Sequence, residues 1–285
     1  MAMIASKTSS EPVNPLLLNP EQTLKVIDIF LRDEMHRVGF ENAVIGLSGG
    51  IDSALSTYLA VRALGKEHVH CVMMPYKTSS ADSLSDARAV IDHLGVSSEV
   101  AEISPMADAY FAMNKDLDKL QKGNIFARLR MIVLYDRSHS RKALVIGTSN
   151  KTESLLGYST LFGDSASAIN PIGDLYKTQV RQLSKFLGIP DSILTKAPSA
   201  DLWSGQTDEQ EMGLTYAEVD KLLYYMVDCR ETAEELLGRG FTKELIAKVG
   251  SMIRRSQFKR MPPVIAKISP RTVNIDFRYP RDWGS

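Results

Sequence analysis

Ser48, Gly49, Gly50, Asp52 and Ser53 stand together in the stretch Ala-Val-Ile-Gly-Leu-Ser-Gly-Gly-Ile-Asp-Ser over residues 43–53. These types in this order suit the binding of a phosphate chain. Glycines admit positive φ and let a phosphate approach the backbone closely. The apolar run Val44–Leu47 suits a buried strand, and a helical pattern begins at Ile51. The unpaired N–H groups of such a helix start, together with the helix dipole, form an anion site. The loop is not of the G-x-x-x-x-G-K-[ST] kind, because it has no lysine. It carries Asp52 instead. A carboxylate beside a phosphate cradle repels the ligand unless a cation bridges the two, which points to Mg²⁺.

Composition narrows the setting. A chain of 285 residues makes one large α/β domain or two small ones, and 44% hydrophobic residues support a substantial core. Basic and acidic residues both number 34, so the formal net charge is zero. Broad nucleic-acid binding needs an excess of positive charge, so no nucleic-acid partner is expected. Cys71 and Cys229 form no C-x-x-C pair, and Cys71 lies in the apolar run Val69–Met74. That is the pattern of a reducing compartment. No apolar run approaches membrane-spanning length, and the N-terminus lacks the apolar stretch of a signal peptide. A soluble cytoplasmic protein without membrane contact is the expectation. The five histidines are scattered, without metal-ligand spacing.

The elements that must position the loop can be read from periodicity. Residues 1–18 read as a loose arm. Asn19-Pro20 marks a helix start that continues to about Gly39. Strands are expected at 43–47, 69–74, 98–103 and 143–147, with helices at 52–64, 82–94 and 119–138 between them. Short apolar strands alternating with helices imply an α/β fold, a doubly wound parallel sheet flanked by helices. Ligands then bind beyond the carboxyl ends of the strands, where the Ser48 loop and the segment after Ile146 both lie. Further helices are expected at 176–187, near 191–194, and at 215–227, 231–237 and 242–255. Residues 197–213 show little periodicity and read as a loop able to move. Residues 19–265 are taken as one domain whose helical C-terminal part packs on the sheet, and 266–285 as a polar tail.

The Ser-Gly-Gly-x-Asp-Ser loop resembles the pyrophosphate loop of the N-type ATP pyrophosphatases. Four further segments narrow the resemblance: Lys122–Met131, Gly147–Glu153, Gly163-Asp164 leading to Ile169–Lys177, and Lys196–Leu202. In this order, over about residues 20–265, they resemble the ammonia-dependent NAD synthetases. The resemblance implies an adenine-nucleotide alpha-hydrolase-like fold. It implies ATP as co-substrate, Mg²⁺, and deamido-NAD and ammonia as the remaining substrates. A carboxylate is a poor electrophile, because its leaving group would be oxide. Attack on the ATP α-phosphate makes a carboxyl-adenylate, and ammonia then displaces AMP to give NAD.

Roles follow position by position. Gly46, Leu47, Ser48, Gly49, Gly50, Ile51, Asp52 and Ser53 are expected to form the ATP loop. Thr148 resembles the family's ATP-contacting threonine, and as a bare residue would serve as a helix cap. Ser199 stands where some members have threonine and keeps the hydroxyl. Lys177 matches the triphosphate lysine, although by itself it would be an ordinary surface lysine. Asp52 and Lys177 are the candidate catalytic pair, and Asp52 and Glu153 the candidate metal ligands. Arg128 resembles the arginine that contacts deamido-NAD, while Arg130, two residues on, faces elsewhere. Phe258 and Lys259 match a substrate-contacting pair, though Phe258 suits a core position equally well. The chain departs from the family at Leu161 and Ala168, where some members carry a lysine and an aspartate that contact the dinucleotide. A homodimer is implied, and the 119–138 helix would suit its interface.

Two other readings use the same loop. A tRNA-thiolating ATP pyrophosphatase would need reactive cysteines and a basic surface. A non-enzymatic adenine-nucleotide-binding module would not need Asp52, Glu153 and Lys177 together. The Ser48 loop begins too early to leave room for a glutaminase domain before it, so free ammonia is the expected donor. The segment at 199–213, which includes Trp203, is expected to act as a lid that keeps water from the adenylate.

Overall fold

Asn19 caps the first helix, its side chain accepting from the Gln22 N–H, and Pro20 opens it. In the computed structural model, which describes residues 14–197 and 208–273, this is α1, Pro20–Arg37. Then come β1 (Asn42–Gly46), α2 (Ile51–Leu64), β2 (Val69–Met73), α3 (Ala81–Leu94) and β3 (Ser97–Val100). Gly65 and Gly95 end α2 and α3 at φ values of 93° and 62°. The third strand is shorter than the 98–103 expected from the sequence. Ser104-Pro105 opens a helix that periodicity did not reveal, α4 (Ser104–Met113). Proline fits the first turn, where its missing N–H costs nothing. Asp118 and Gln121 form a capping box at the start of α5 (Lys119–Ser140). The last strand among the described residues is β4 (Ala143–Ile146).

All strand pairs are parallel, in the order β3-β2-β1-β4. Successive strands step outward from β1 to β3, and β4 then joins the opposite side of β1. The β1/β4 boundary is therefore the topological switch point, where a crevice opens at the carboxyl ends of the strands. Ile146 also bridges Ile169 in parallel, which carries the Asn170-Pro171 segment past this end.

Side chains alternate across the sheet. Ala43, Ile45 and Cys71 pack with Leu31, Leu55, Leu59 and Val90 under α1, α2 and α3. Val44, Val72 and Ala143 face the other way, against Ile103, Ala107, Phe126 and Val133 around α4 and α5. The remaining helices are α6 (Lys151–Leu156), α7 (Lys177–Phe186), α8 (Asp191–Thr195), α9 (Asp208–Met212), α10 (Tyr216–Leu223), α11 (Ala233–Gly238) and α12 (Lys243–Arg255). Both sheet faces are already covered, so α10 and α12 pack on α6 and α7 instead of directly on the sheet. This corrects the expected arrangement. Residues 208–212, read as loop, are helical because Asp208 and Met212 bury there. Among the described residues no helix is long and apolar enough to cross a membrane.

Candidate active site

β1 delivers Leu47, whose N–H still bonds the Val72 carbonyl, to the switch point. The chain then turns through Ser48-Gly49-Gly50. Gly49 has φ of 82°, and a Cβ there would lie 2.1 Å from the Ser83 carbonyl oxygen. Both facts demand glycine. Gly50 occupies the N-cap of α2 without a side chain to cap it, so the first N–H groups of the helix stay open to a ligand. Ser48 and Ser53 brace the turn. The Ser48 N–H donates to Ser53 Oγ at 3.2 Å, and Ser53 Oγ donates to the Gly50 carbonyl at 3.0 Å.

Three charges from three elements meet beside this turn. Asp52 comes from the first turn of α2, Glu153 from α6, and Lys177 opens α7. Lys177 Nζ donates to Asp52 Oδ2 at 2.5 Å and to Glu153 Oε1 at 2.9 Å. The Lys177 side chain is only 2% exposed. A cation at a helix N-terminus opposes the helix dipole, so this lysine is held there by its two carboxylates. Burial by itself would favour the neutral amine, but Asp52 and Glu153 outweigh it and hold its pKa above the ordinary value. Burial pushes the Glu153 carboxyl up to about 7, with the Asp52 charge adding and Lys177 opposing.

The backbone under this triad is locked. Asn150, fully buried, accepts from the Glu153 N–H with its side-chain oxygen, and its amide donates to Asp52 Oδ1 at 2.9 Å. Thr152 Oγ1 accepts from the Lys177 N–H and donates to Asp220 Oδ1 at 2.6 Å. Asp220 Oδ2 accepts from the Thr178 N–H. The Lys177 ammonium also lies 5.2 Å from the Tyr216 ring centre, and the Tyr216 hydroxyl donates to Asp208.

A cavity of about 610 Å³ spans the switch point. Its polar lining includes Ser48, Gly50, Asp52, Ser53, Thr148, Glu153, Lys177 and Asp208. Its apolar lining includes Met73, Met74, Leu84, Ala87, Met131 and Leu134. Such a cavity suits a ligand with a charged chain and a flat apolar ring.

The NAD synthase family model matches residues 23–263. A curated NH(3)-dependent NAD(+) synthetase of Trichlorobacter lovleyi is 54% identical over 94% of this chain and 98% of its own length. The chain belongs to the NAD synthase family. Among solved structures, the NH3-dependent NAD synthetase of Campylobacter jejuni is similar at TM-score 0.75, with 33% identity over 88% of this chain and all of that one. The NMN synthetase of Francisella tularensis is similar at TM-score 0.79, with 35% identity over 88% of this chain and 99% of that one. A tRNA-thiolating enzyme is not favoured beside these relatives.

Gly46, Leu47, Ile51 and Thr148 line the cavity with the loop serines. Arg128 lies outside it, exposed on α5, with Nη2 donating to the Leu161 carbonyl at 3.3 Å. Arg130 lines the cavity and donates to the Met74 carbonyl. Lys259 donates to the Gly157 and Ser159 carbonyls, outside the cavity lining. Phe258 is 60% exposed, which removes the core alternative. Ser199 lies outside the described residues, as does the lid segment up to residue 207. Sequence reasoning passed over Asn150 and Asp208. The spacing Asn150-x-x-Glu153 after a strand is a helix-cap signal that marks the first. Asp208 sits in an aperiodic stretch and left no comparable signal.

Proposed function

We propose that this chain makes NAD by ATP-dependent amidation of deamido-NAD with ammonia, through a carboxyl-adenylate, releasing AMP and pyrophosphate. The observation that carries this reading is the convergence of Asp52, Glu153 and Lys177 at the mouth of a glycine loop on the switch point. The open N–H groups of α2, with Ser48 and Ser53, would hold the departing pyrophosphate. Lys177 would neutralise charge on the triphosphate. The apolar part of the cavity lining suits adenine. The carboxylate of deamido-NAD would then face the α-phosphate, where water must be excluded until ammonia attacks.

Asp52 and Glu153 would hold Mg²⁺. Two carboxylate oxygens already converge on one cationic nitrogen, and carboxylate oxygen is the donor type a hard cation takes, with phosphate oxygens to complete its shell. When bound, the ion would supply Lewis-acid stabilisation of charge on the phosphates. Arg128, Phe258 and Lys259 remain proposed contacts to the dinucleotide, with Ser199 a proposed contact to ATP. A single synthetase domain over residues 19–265 is supported by the family match over 23–263. A homodimer is supported by apolar side chains exposed on α4 and α5, Met113, Leu120 and Ile132 among them. A cytoplasmic location is supported by the two unpaired cysteines and the use of ATP.

Protein mixed with ATP, Mg²⁺, deamido-NAD and ammonium is expected to give AMP and NAD in equal amounts. Glutamine in place of ammonium is expected to give essentially none. Because one similar structure is an NMN synthetase, nicotinic acid mononucleotide is run as a competing substrate. Preference for the mononucleotide, or AMP without amide product, overturns the proposal.

A further inference from the structure

Lys177 stands between the two carboxylates proposed to hold a metal ion. Its ammonium joins Asp52 Oδ2 and Glu153 Oε1 at 2.5 and 2.9 Å. A divalent ion seated between Asp52 and Glu153 would draw on these same carboxylates, and Asp52 Oδ1 is already taken by the Asn150 amide. Two cations in that gap repel each other and draw on the same two carboxylates. We propose that Lys177 is an exchangeable counter-ion: it holds the Asp52–Glu153 pair in the nucleotide-free protein and gives way only when a divalent cation arrives with the triphosphate. The inference rests on the ATP-and-metal reading of this site and adds an order of binding to it.

The reason for the coupling lies in burial. A lysine that left both carboxylates with no other anion at hand would be a buried charge without a partner, which is strongly disfavoured. Free metal offers no replacement anion. The phosphates of ATP do. The metal and the triphosphate therefore enter together, the metal taking the carboxylates and the ammonium taking phosphate oxygens.

The surroundings permit this motion in the side chain alone. The Lys177 N–H is tied to Thr152, and the next N–H, of Thr178, to Asp220, so the start of α7 stays in place. The four-carbon stem supplies the freedom. The Tyr216 ring faces the ammonium at 5.2 Å. Asp208, which accepts from the Tyr216 hydroxyl, has Oδ1 buried without a partner.

Mn²⁺ serves as the probe, with free ion followed by electron paramagnetic resonance. Without nucleotide, Lys177→Met is expected to bind Mn²⁺ at least about tenfold more tightly than the wild type, on the scale of removing one group that tunes a metal site. The gain is expected to vanish when Asp52→Asn is added. Equal Mn²⁺ binding by wild type and Lys177→Met overturns the exchange. If the variant does not fold, wild-type melting decides. Mn²⁺ alone is expected to leave Tm unchanged, while Mn²⁺ with a non-hydrolysable ATP analogue raises it beyond the analogue alone. A rise with Mn²⁺ alone overturns the exchange and leaves the nucleotide reading intact. No stabilisation by Mn²⁺ and analogue together overturns the nucleotide reading, and the exchange with it.

Discussion

Asp52 owes its importance to what surrounds its carboxylate. Oδ1 is tied to the Asn150 amide and Oδ2 to the Lys177 ammonium, so the group is aimed before any ligand arrives. Asp52→Asn keeps the size of the side chain and removes its charge. Such a variant is expected to fold, by circular dichroism, and to lose pyrophosphate release by at least about 10²-fold, the scale of losing an electrostatic stabiliser. Near-normal release from a folded variant would remove Asp52 from the metal site. The identities of Asp52, Glu153 and Lys177 were legible in the sequence. Their meeting was not, because they are separated by 125 residues at the widest, and only packing joins them. Asn150, which orders two members of the cluster, was readable only as a helix cap.

At the scale of elements, the turn between β1 and α2 is wedged against α3. A Cβ at Gly49 would meet the Ser83 carbonyl, and backbone cannot swing aside as a side-chain tip can. Gly49→Ala is therefore expected to destabilise the fold by about 1 kcal/mol or more, through positive φ and the clash together. It is also expected to weaken ATP binding, by calorimetry. Unchanged affinity would show that the loop conformation is not what binds phosphate.

The edge of the sheet makes a second element-scale prediction. His70 on β2 is buried, with Nδ1 2.9 Å from Ser97 Oγ and Nε2 3.2 Å from Glu99 on β3. Burial lowers its pKa below the ordinary value, against the pull of Glu99. The folded protein then binds this proton less readily than the unfolded chain. Its contribution to stability is present above about pH 6.5 and is lost as pH falls through the lowered folded pKa. Urea midpoints are expected to drop below that pH in the wild type, and the drop is expected to shrink in His70→Gln. Identical pH profiles would assign the dependence to other groups.

At the scale of the whole molecule, three apolar clusters among the described residues share the work. Two flank the sheet, and the third joins α10 and α12 to α6 and α7. Through that third cluster the C-terminal helices support two of the three charged residues of the site. Among the described residues, apolar side chains are exposed on α4 and α5, with Met113 74% exposed and Ile132 52% exposed. Burying such a surface between two copies would supply hydrophobic stabilisation. Light scattering is expected to show a dimer, and Ile132→Glu to shift it toward monomer. A monomeric wild type would make the exposed face irrelevant to assembly.

The amino-acid sequence by itself determined the alternation of strands and helices, the glycine loop and the charged residues that follow strand ends. Those features are local. Periodicity of two or 3.6, a cap residue and a glycine at positive φ act within a few residues of one another. The same locality explains what escaped it. α4 has a buried face too small to give a period, with Ser104 and Ala107 its buried residues. The place of β4 beside β1, the packing of the C-terminal helices on α6 and α7, and the buried setting of Lys177 were decided by tertiary structure alone. A lysine heading an amphipathic helix reads as a surface residue until two carboxylates from distant turns are known to reach it. Once Asp52 and Glu153 meet its ammonium, burial strengthens the attraction and fixes the group at the switch point.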